Sequence, residues 1–592
     1  HSMTDTVRGV TKRLRSNATN AESTVSGDIT AFNSNGYSIG ANTLINENGQ
    51  DHCSWTWRKA EKFFDIVQYT GNFTANRQIA HNLGSVPGMI IVKETSNATD
   101  WYVYHRSAGN NYFLKLNGQN ARTQNNFAWS ATDPTSTHFT VGEATTTNGN
   151  GETYIAYLFA HNAGDGIFGP DEDQDIIKCS TFSGDSASQE VTIGFEPQWI
   201  MVKNRDSAST NWGIFDNMRY WVNVRGGGDS NYLIANSDAA ESGIARFHPT
   251  AKGFEFVTEN GANLNASGSN YIYVAIRRGS LFPPENASDV FDVDRAQDAS
   301  GETAQFTSTG FRTDFALNRP SRDGTANTFL QSRLTGNRRI ETNATHNEGS
   351  AVANLDWDYM TGWGSGGGDS NNYAWMWQRA PKFADVVSYK GNGTTGREVS
   401  HNLEVEPEMM WVHNRSISED WSCYFKPLGN TKYLQLNSAA GAADSGTSGG
   451  QANIWNDTTP SATVFTIGNH GRVNTSGEYY INYLFATLDG ISKVGSYTGN
   501  GSSQNIDCGF SNGARFILIK RTNSSNGWAL FDSERGIVSG NDPILSLSST
   551  NAEFTSGDDV DPLSSGFTIN QDANSFLLNG SGNTYVFYAI AV

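Results

Sequence analysis

The sequence predicts an all-β protein made of tandem antiparallel sandwich modules. Short aromatic and β-branched runs alternate with Gly, Asn, Ser and Asp clusters along the whole chain, as in strands joined by tight turns. Only 17% of the 592 residues are charged while 12% are aromatic, a content that opposes disorder. A chain of this length exceeds one hydrophobic core, so we expect several domains.

One long phrase occurs twice. WTWRKAEKFFDIVQYTGN begins at Trp55 and WMWQRAPKFADVVSYKGN begins at Trp375, with ten of eighteen positions identical. The match extends from YTGNFTANRQIAHNLGSVPGMIIVK (69–93) against YKGNGTTGREVSHNLEVEPEMMWVH (389–413) and ends in YIAYLFA (154–160) against YINYLFA (480–486). We name this repeated module type A.

A second module type follows each type A module. FSGDSASQEVTIGFEPQWIMVKNR (182–205) aligns with YTGNGSSQNIDCGFSNGARFILIKR (497–521), and we name this module type B. Two further B-like segments precede the type A modules, so the order B-A-B occurs twice. We expect the chain to begin inside a B module whose first strands are absent, and the opening His-Ser-Met is typical of an expression tag.

The repeats predict six ranges, each a jelly-roll-like β-sandwich of about a hundred residues. They are a partial B module at 1–60, an A module at 61–165, a B module at 166–285, a degenerate B module at 286–380, an A module at 381–488 and a B module at 489–592. In the first A module we expect strands near 64–69, 77–81, 88–94, 101–105, 112–116, 126–130, 138–142 and 153–160. Both faces of the last strand are apolar, which predicts a central strand covered on both sides. No long helix is expected.

Charge and composition exclude some partners. The formal net charge is −19 and no basic run is present, which opposes binding to nucleic acid or to an anionic membrane. No apolar run reaches the ~20 residues of a membrane-spanning helix, so we expect no membrane insertion. The four cysteines are too few for a disulfide framework and are interpreted as buried free thiols.

Most repeated residues have a structural interpretation. The paired tryptophans are expected in module cores, although tryptophan can also stack on sugar rings. His81 and His401 are expected to bond a turn at a strand end. The lysines that end three apolar strands, Lys93, Lys203 and Lys520, are expected to be solvated. Asp216 and Asp532 are expected to pair with arginines in the turns that follow them.

The sequence motifs give only weak support for metal binding or for catalysis. Oxygen-rich loops at 169–175, 289–294 and 556–561 could hold Ca²⁺, but none has the spacing of an EF-hand loop, and no other cofactor is expected. No hydrolase, zinc-protease or phosphate-loop motif is present. A glycoside hydrolase needs only two facing carboxylates, which spacing in a β protein cannot reveal, so that alternative stays open.

One loop departs from its copies. NMRYWVNVRGGGDSNY (217–232) places Tyr220, Trp221 and Arg225 in a glycine-rich segment where the last B module has SERGIVSGND. An exposed aromatic pair with an arginine is typical of recognition surfaces, and these three residues are our candidate ligand-binding set. The alternative is that the aromatics cover an edge of their own module.

The repeated patterns resemble a family of virion proteins. GFEPQWIMVKNR followed by WGIFD (194–216), HNLGSVPGMIIVK followed by WYVYH (81–105), and the closing YIAYLFA are similar to tandem modules of tail-fibre-like proteins of tailed bacteriophages, especially marine and cyanobacterial ones. The resemblance implies a non-enzymatic virion tail protein that attaches to a host surface polysaccharide or protein receptor. Other tail proteins and further copies of the chain are the implied partners. The alternatives are a purely structural tail component and a surface-polysaccharide depolymerase.

Overall fold

The protein is all-β, as predicted. The computed structural model describes residues 1–223, 229–245, 247–256, 264–296, 305–306, 309–366, 371–445, 454–570 and 577–592. These residues form two compact units. Unit 1 consists of 1–216, 229–249 and 253–278, and unit 2 consists of 217–228, 250–252 and 279–592. In the described part of the chain no helix is long and apolar enough to cross a membrane.

Unit 1 contains two complete sandwiches and a smaller first segment. Its elements are β1 (Lys12–Arg13), β2 (Ser23–Thr24), β3 (Ile29–Asn33), β4 (Gly36–Ile39), α1 (Thr43–Asn46), β5 (Phe64–Thr70), β6 (Arg77–Ala80), β7 (Met89–Glu94), β8 (Tyr102–His105), β9 (Tyr112–Lys115), β10 (Thr123–Gln124), β11 (His138–Val141), α2 (Thr145–Asn148), β12 (Thr153–Phe159), β13 (Ile177–Ser183), β14 (Gln189–Thr192), β15 (Pro197–Asn204), β16 (Gly213–Asp216), β17 (Asp229–Ile234), β18 (Ser242–Ala245), β19 (Phe247–Thr250), β20 (Gly253–Phe256) and β21 (Asn270–Arg277). The larger sheets have the orders β10-β9-β8-β7-β12-β5 and β13-β21-β15-β16-β17-β18. The smaller sheets are β11-β6 and β14-β20-β19, with the hairpins β1-β2 and β3-β4 in the first segment.

Unit 2 contains three sandwiches. Its elements are β22 (Phe291–Arg295), β23 (Gln305–Phe306), β24 (Phe315–Arg319), β25 (Phe329–Ser332), β26 (Arg339–Glu341), β27 (Leu355–Asp356), β28 (Trp363–Ser365), β29 (Tyr373–Trp377), β30 (Ala384–Lys390), β31 (Arg397–Ser400), β32 (Met409–Asn414), β33 (Ser422–Phe425), β34 (Lys432–Tyr433), β35 (Ala443–Asp444), β36 (Val464–Ile467), α3 (Gly471–Asn474), β37 (Tyr479–Phe485), β38 (Ser492–Thr498), β39 (Gln504–Asp507), β40 (Ala514–Arg521), β41 (Trp528–Asp532), β42 (Asp542–Ser546), β43 (Phe554–Gly557), β44 (Val560–Leu563), β45 (Gly566–Ile569) and β46 (Thr584–Ala591), with single 3-10 turns at Ala287–Asp289, Arg333–Thr335 and Lys426–Leu428. The larger sheets are β22-β29-β24-β25-β26, β30-β37-β32-β33 and β38-β46-β40-β41-β42-β43. The smaller sheets are β23-β28-β27, β31-β36, β34-β35 and β39-β45-β44.

In both A modules and in the B module that follows each of them, an aromatic side chain of a small sheet packs against one of a large sheet. Phe139 of β11 lies 6.0 Å from Tyr69 of β5, measured between ring centroids. Phe567 of β45 lies 5.4 Å from Phe587 of β46 in the same way. Each described sheet draws its strands from a single one of the six predicted ranges, whose exact boundaries stay predictions.

The closing strand of a module is central in its large sheet. β12 pairs on one side with β5 and on the other with β7, and β46 lies between β38 and β40 in the same way. Every residue of β12 after Thr153 is buried, which confirms the expectation drawn from its two apolar faces.

One expected strand is wrong. Residues 126–130 form turns, because the side chain of Asn125 accepts hydrogen bonds from the backbone N–H groups of Phe127 and Ala128 at 2.7 and 3.0 Å. This local bond competes with strand pairing. The nearest described strand is β10, which ends at Gln124. The remaining expected strands of this module lie within two residues of the structure's own bounds.

A buried asparagine fastens the same turn in four modules. Asn474 accepts a hydrogen bond from the backbone N–H of Asn392 at 2.9 Å and donates to the carbonyls of Thr394 and Gly468 at 2.8 and 2.9 Å. The equivalent residues are Asn148, Asn265 and Asn579, and all four are fully buried. An uncharged amide satisfies backbone donors and acceptors at a turn that cannot join a sheet, which explains why Gly-Asn and Asn recur there.

The three large sheets of unit 2 meet at an aromatic centre. The ring of Trp377 in β29 lies 6.3 Å from Phe485 in β37 and 5.6 Å from Phe516 in β40. Phe485 also lies 5.1 Å from Tyr588 in β46. The ring of Phe315 stacks on Trp377 at 5.1 Å. Each sheet therefore buries one face against its small sheet and the other against this centre, which gives the three modules one shared core.

Candidate functional site

The structure places two of the three candidate loop residues inside unit 2. The hydroxyl of Tyr220 donates to Asp356 at 2.7 Å and to the carbonyl of Leu355 at 2.9 Å, and burial raises the pKa of Tyr220. Trp221 is 1% exposed. Arg225 lies outside the described residues. Tyr220 and Trp221 therefore do not form the exposed aromatic pair that the sequence predicted. Ligand binding by Tyr220, Trp221 and Arg225 stays a prediction.

The histidines of the HNL motif hold turns, as expected. His81 Nδ1 accepts from the backbone N–H of Leu83 at 3.2 Å, and its Nε2 lies 3.2 Å from the carbonyl of Thr135. His401 makes the same two contacts in the second A module. Nε2 is the protonated nitrogen in this arrangement, since its partner is a carbonyl.

The expectation of solvated strand-end lysines is wrong. Lys93, Lys203 and Lys520 are fully buried. Lys203 Nζ donates to both the carbonyl and the hydroxyl of Thr210 at 2.6 Å, and Lys520 Nζ donates to the carbonyl of Ala439 at 2.8 Å. Burial lowers the pKa of Lys520 to about 7 and that of Lys203 to about 8. These lysines fasten loops through backbone carbonyls, which no sequence pattern around them indicates.

The expectations for the aspartate–arginine turn pair and for the four cysteines have different outcomes. Asp532 pairs with Arg535 at 2.6 Å with both side chains fully buried, as expected of a turn-holding ion pair. Cys179, Cys423 and Cys508 are buried free thiols, whereas Cys53 is exposed, so the expectation for that cysteine is wrong. Among the described residues no group of three or more His, Cys, Asp or Glu side chains could hold a metal ion, and calcium at the acidic loops stays a prediction.

An open groove of about 400 Å³ lies on the first sandwich of unit 2. Its floor is formed by β25 and β26, which pair Phe329 with Glu341 across the sheet. Its wall is the segment 346–352, which is tied to β26 where the backbone N–H of Gly349 donates to the carbonyl of Arg339 at 3.1 Å. The lining residues are Phe329, Arg339, Glu341, His346, Asn347, Gly349, Ser350, Ala351 and Val352.

The groove combines an arginine, an aromatic ring and an acid. The guanidinium carbon of Arg339 lies 3.9 Å from the centroid of the Phe329 ring, which is a cation–π contact. Within the described chain this guanidinium has no hydrogen-bond acceptor, so its donors are available to a ligand. Burial lowers the pKa of Arg339, but Glu341 beside it favours the charged form.

The acid of the groove is held in place by its neighbours. Glu341 accepts from the side chain of Asn327 at 2.9 Å, and its other oxygen lies 2.8 Å from Nδ1 of His346. The His346 side chain is 70% exposed, so its contact with Glu341 faces solvent. The site therefore offers hydrogen-bond donors and acceptors held in place by their neighbours, which is typical of sites for polar ligands.

Sequence reasoning did not find this groove. Its residues come from the degenerate B module, where the lysine-ended strand is missing and no repeat draws attention to them. The available signal is a difference between copies. Trp101 donates to the carbonyl of Arg15 at 2.9 Å and Trp421 donates to that of Glu341 at 2.9 Å, so Arg15 is the counterpart of Glu341. Glu341 is thus an acid that occurs in the second B-A-B repeat (the second block) and is replaced by Arg15 in the first B-A-B repeat (the first block).

A family model matches almost the whole chain. The family is described as Domain of unknown function (DUF7483), and the matched residues are 1–278 and 287–592. The chain belongs to this family. Residues 279–286, which separate the two matched ranges, lie at the predicted boundary between the two B-A-B repeats. No curated protein matches the sequence.

Proposed function

We propose that this DUF7483 protein is a tail-fibre-type virion protein that attaches a bacteriophage to a glycan or protein on the host surface. The observation that carries the binding role is the groove on the first sandwich of unit 2. Its size falls within the range of small-ligand sites, and it presents the guanidinium of Arg339 and a fixed carboxylate. A saccharide unit presents hydroxyl groups, which can accept from the guanidinium and donate to the carboxylate.

The fold supports the same proposal. Neutral asparagine amides fasten the turns, and aromatic rings fill the cores of the modules. Tandem modules also allow several weak contacts to act together on one surface, which raises the overall affinity.

A depolymerase is the weaker alternative. Glycoside hydrolysis uses two carboxylates on either side of the scissile bond. Among the described residues that line the groove, Glu341 is the only acid, since Glu348 of the wall segment is buried against Arg415. A binding role needs no second acid, so the groove favours binding over hydrolysis.

A purely structural tail component is the second candidate. It is favoured by the shared aromatic centre of unit 2, in which three sandwiches bury one face each. A rigid block of this kind suits a spacer, and a spacer would make the groove incidental.

The test is binding of the purified chain to an array of bacterial surface polysaccharides, with released sugar assayed in the supernatant. We expect saturable binding without product. Arg339→Ala should weaken that binding about tenfold or more, because a hydrogen bond to a charged group is lost.

The matched control is Arg13→Ala, which removes a half-buried arginine from the first block, where it pairs with Asp28 at 3.2 Å. This change should leave binding intact. Product release would establish the depolymerase. Absence of binding to any polysaccharide and to host cells would favour the structural role.

A further inference from the structure

The groove on the first sandwich of unit 2 contains a positive charge that no neighbour pairs with. Glu341 is held by Asn327 at 2.9 Å and by His346 at 2.8 Å. Arg339 is half buried, and among the described residues no carboxylate forms an ion pair with its guanidinium and no oxygen accepts from it. A cation that is partly removed from water without a partner is costly, so an anionic ligand group would stabilise it.

The ring of Phe329 orients this guanidinium. Phe329 is 8% exposed, and the guanidinium carbon of Arg339 lies 3.9 Å from its ring centroid. Contact with a ring face uses no N–H donor, so the N–H groups of Arg339 stay available to a ligand. A guanidinium presents these groups as a planar fork, which matches the two oxygens of a carboxylate.

The wall of the groove is fixed, and its acid is already paired. Within the wall segment 346–352, Glu348 is fully buried and lies 2.8 Å from Arg415. The carbonyl of His346 lies 2.9 Å from Nε2 of His413. An anionic ligand would therefore meet no unpaired acid from the wall, and the groove needs little rearrangement to receive it.

A buried amide lies on the same face of the sheet as Arg339. Gln331 of β25 is directly opposite Arg339 of β26, so the two side chains are on the same side. Gln331 is fully buried, and among the described residues neither its Nε2 nor its Oε1 has a hydrogen-bond partner. A buried amide without partners is costly, and it indicates a polar group that comes from outside the chain.

We propose that the groove binds a saccharide unit that carries a carboxylate, with Arg339 as the residue that binds the carboxylate and Gln331 as a second donor, reached by a small shift of the Arg339 side chain. This inference rests on the proposed function and names the class of the glycan. A doubly charged phosphate suits the groove less well, because Glu341 would repel it more strongly than a single charge. The hydroxyl groups of the same unit can donate to Glu341.

The test compares each carboxylate-bearing polysaccharide of the array with its own carboxyl-reduced form, in which the same sugar units carry a primary alcohol. We expect the full chain to bind the native form at least about tenfold more tightly, because reduction removes a charge-assisted pair of hydrogen bonds. A sulfated polysaccharide without carboxylates should bind no more tightly than the reduced forms.

A conservative variant tests the fork of the guanidinium. Arg339→Lys keeps the positive charge but removes the planar fork, so it should weaken binding of the native polysaccharide by about tenfold and leave binding of the reduced form unchanged. The matched control is Arg122→Ala. This arginine also lies over a ring, at 4.6 Å from the centroid of Tyr112, but it already pairs with Asp206 at 3.3 Å. The control should leave binding of both forms unchanged.

A second variant separates a binding role of Gln331 from a structural one. Gln331→Met removes both amide atoms at similar side-chain size. Amide hydrogen exchange in β25 and β26 should be unchanged or slower, because a buried amide without partners is removed. The preference for the native over the reduced polysaccharide should fall by about threefold or more. Faster exchange in these strands with an unchanged preference would show that Gln331 is structural only.

Three results would overturn the carboxylate assignment while the proposed attachment role stands. They are equal binding of native and reduced polysaccharides, an equal loss of binding to both forms in Arg339→Lys, and tighter binding of a sulfated polysaccharide than of any carboxylate-bearing one. Absence of binding to every polysaccharide would instead contradict glycan attachment itself, so the two failures are distinguishable.

Discussion

Removal of the Asn474 amide should open one turn of the second A module without unfolding the remaining modules. The side chain is fully buried and makes three hydrogen bonds to the backbone, at 2.8 to 2.9 Å, with Asn392, Thr394 and Gly468. Each bond contributes roughly 1 kcal/mol net, so Asn474→Ala should lower the free energy of local opening by about 3 kcal/mol. The groups left behind lie beside solvent-exposed turn residues, which allows water to limit the loss.

Hydrogen exchange followed by mass spectrometry is the suitable assay, because a chain with several modules does not unfold in two states. A loss of about 3 kcal/mol corresponds to exchange about a hundredfold faster in the segment 391–396. The control is Asn505→Ala, which removes an exposed asparagine from β39. Equal acceleration in both variants, or acceleration spread over all modules, would refute the role of the buried amide as a fastener.

Three further predictions concern buried aromatic and titratable groups. Trp377→Ala should cost about 4 kcal/mol of stability in unit 2, because it opens a cavity among four rings, whereas Trp57→Ala should cost clearly less. Amide hydrogen exchange decides this, measured in β37 for the first variant and in β12 for the second, since Phe485 and Phe159 of these strands contact the two rings. Burial lowers the pKa of Lys520 to about 7 from 10.5, so the unfolded chain binds more protons between these values and stability should rise with pH there. Lys520→Met should reduce the slope of stability against pH by the equivalent of about one proton, as measured by thermal melts at several pH values. An unchanged slope would contradict the lowered pKa of Lys520. Burial lowers the pKa of His413 to about 4, so its contribution is complete above pH 6.5 and is lost as the pH falls toward 4; His413→Gln should reduce this loss, as measured by melting temperature against pH.

Much of the fold could be predicted because its signals are local and repeated. Alternation along residues 153–160 places both faces of a strand in apolar surroundings, and the repeat at Trp55 and Trp375 gives the order of modules. Glycine and asparagine between apolar runs mark the turns. Each of these features depends on a few neighbouring residues, so the sequence alone is enough to predict it.

The rest depends on partners that are distant in sequence. The carbonyl that accepts a hydrogen bond from Lys520 belongs to Ala439, in another module, and the sequence around Lys520 does not indicate this partner. Tyr220 and Trp221 stand in a glycine-rich segment, which favours an exposed loop, yet the residues that hold the Tyr220 hydroxyl come more than a hundred positions later. The groove around Arg339 was missed for the same reason, since its acid and its aromatic ring lie on paired strands.

The buried asparagines also bear on how the protein ages. Asn148 and Asn579 are each followed by glycine, the sequence in which the next backbone nitrogen attacks the side-chain amide most readily to give a succinimide and then isoaspartate. In the folded chain the N–H of Gly149 donates to the hydroxyl of Tyr154 at 2.7 Å, and that of Gly580 donates to the hydroxyl of Tyr585 at 3.1 Å. The attacking nitrogen is thereby held on the tyrosine while the module is closed. The rate at which isoaspartate accumulates at these two positions in a stored preparation would therefore report how often each module opens.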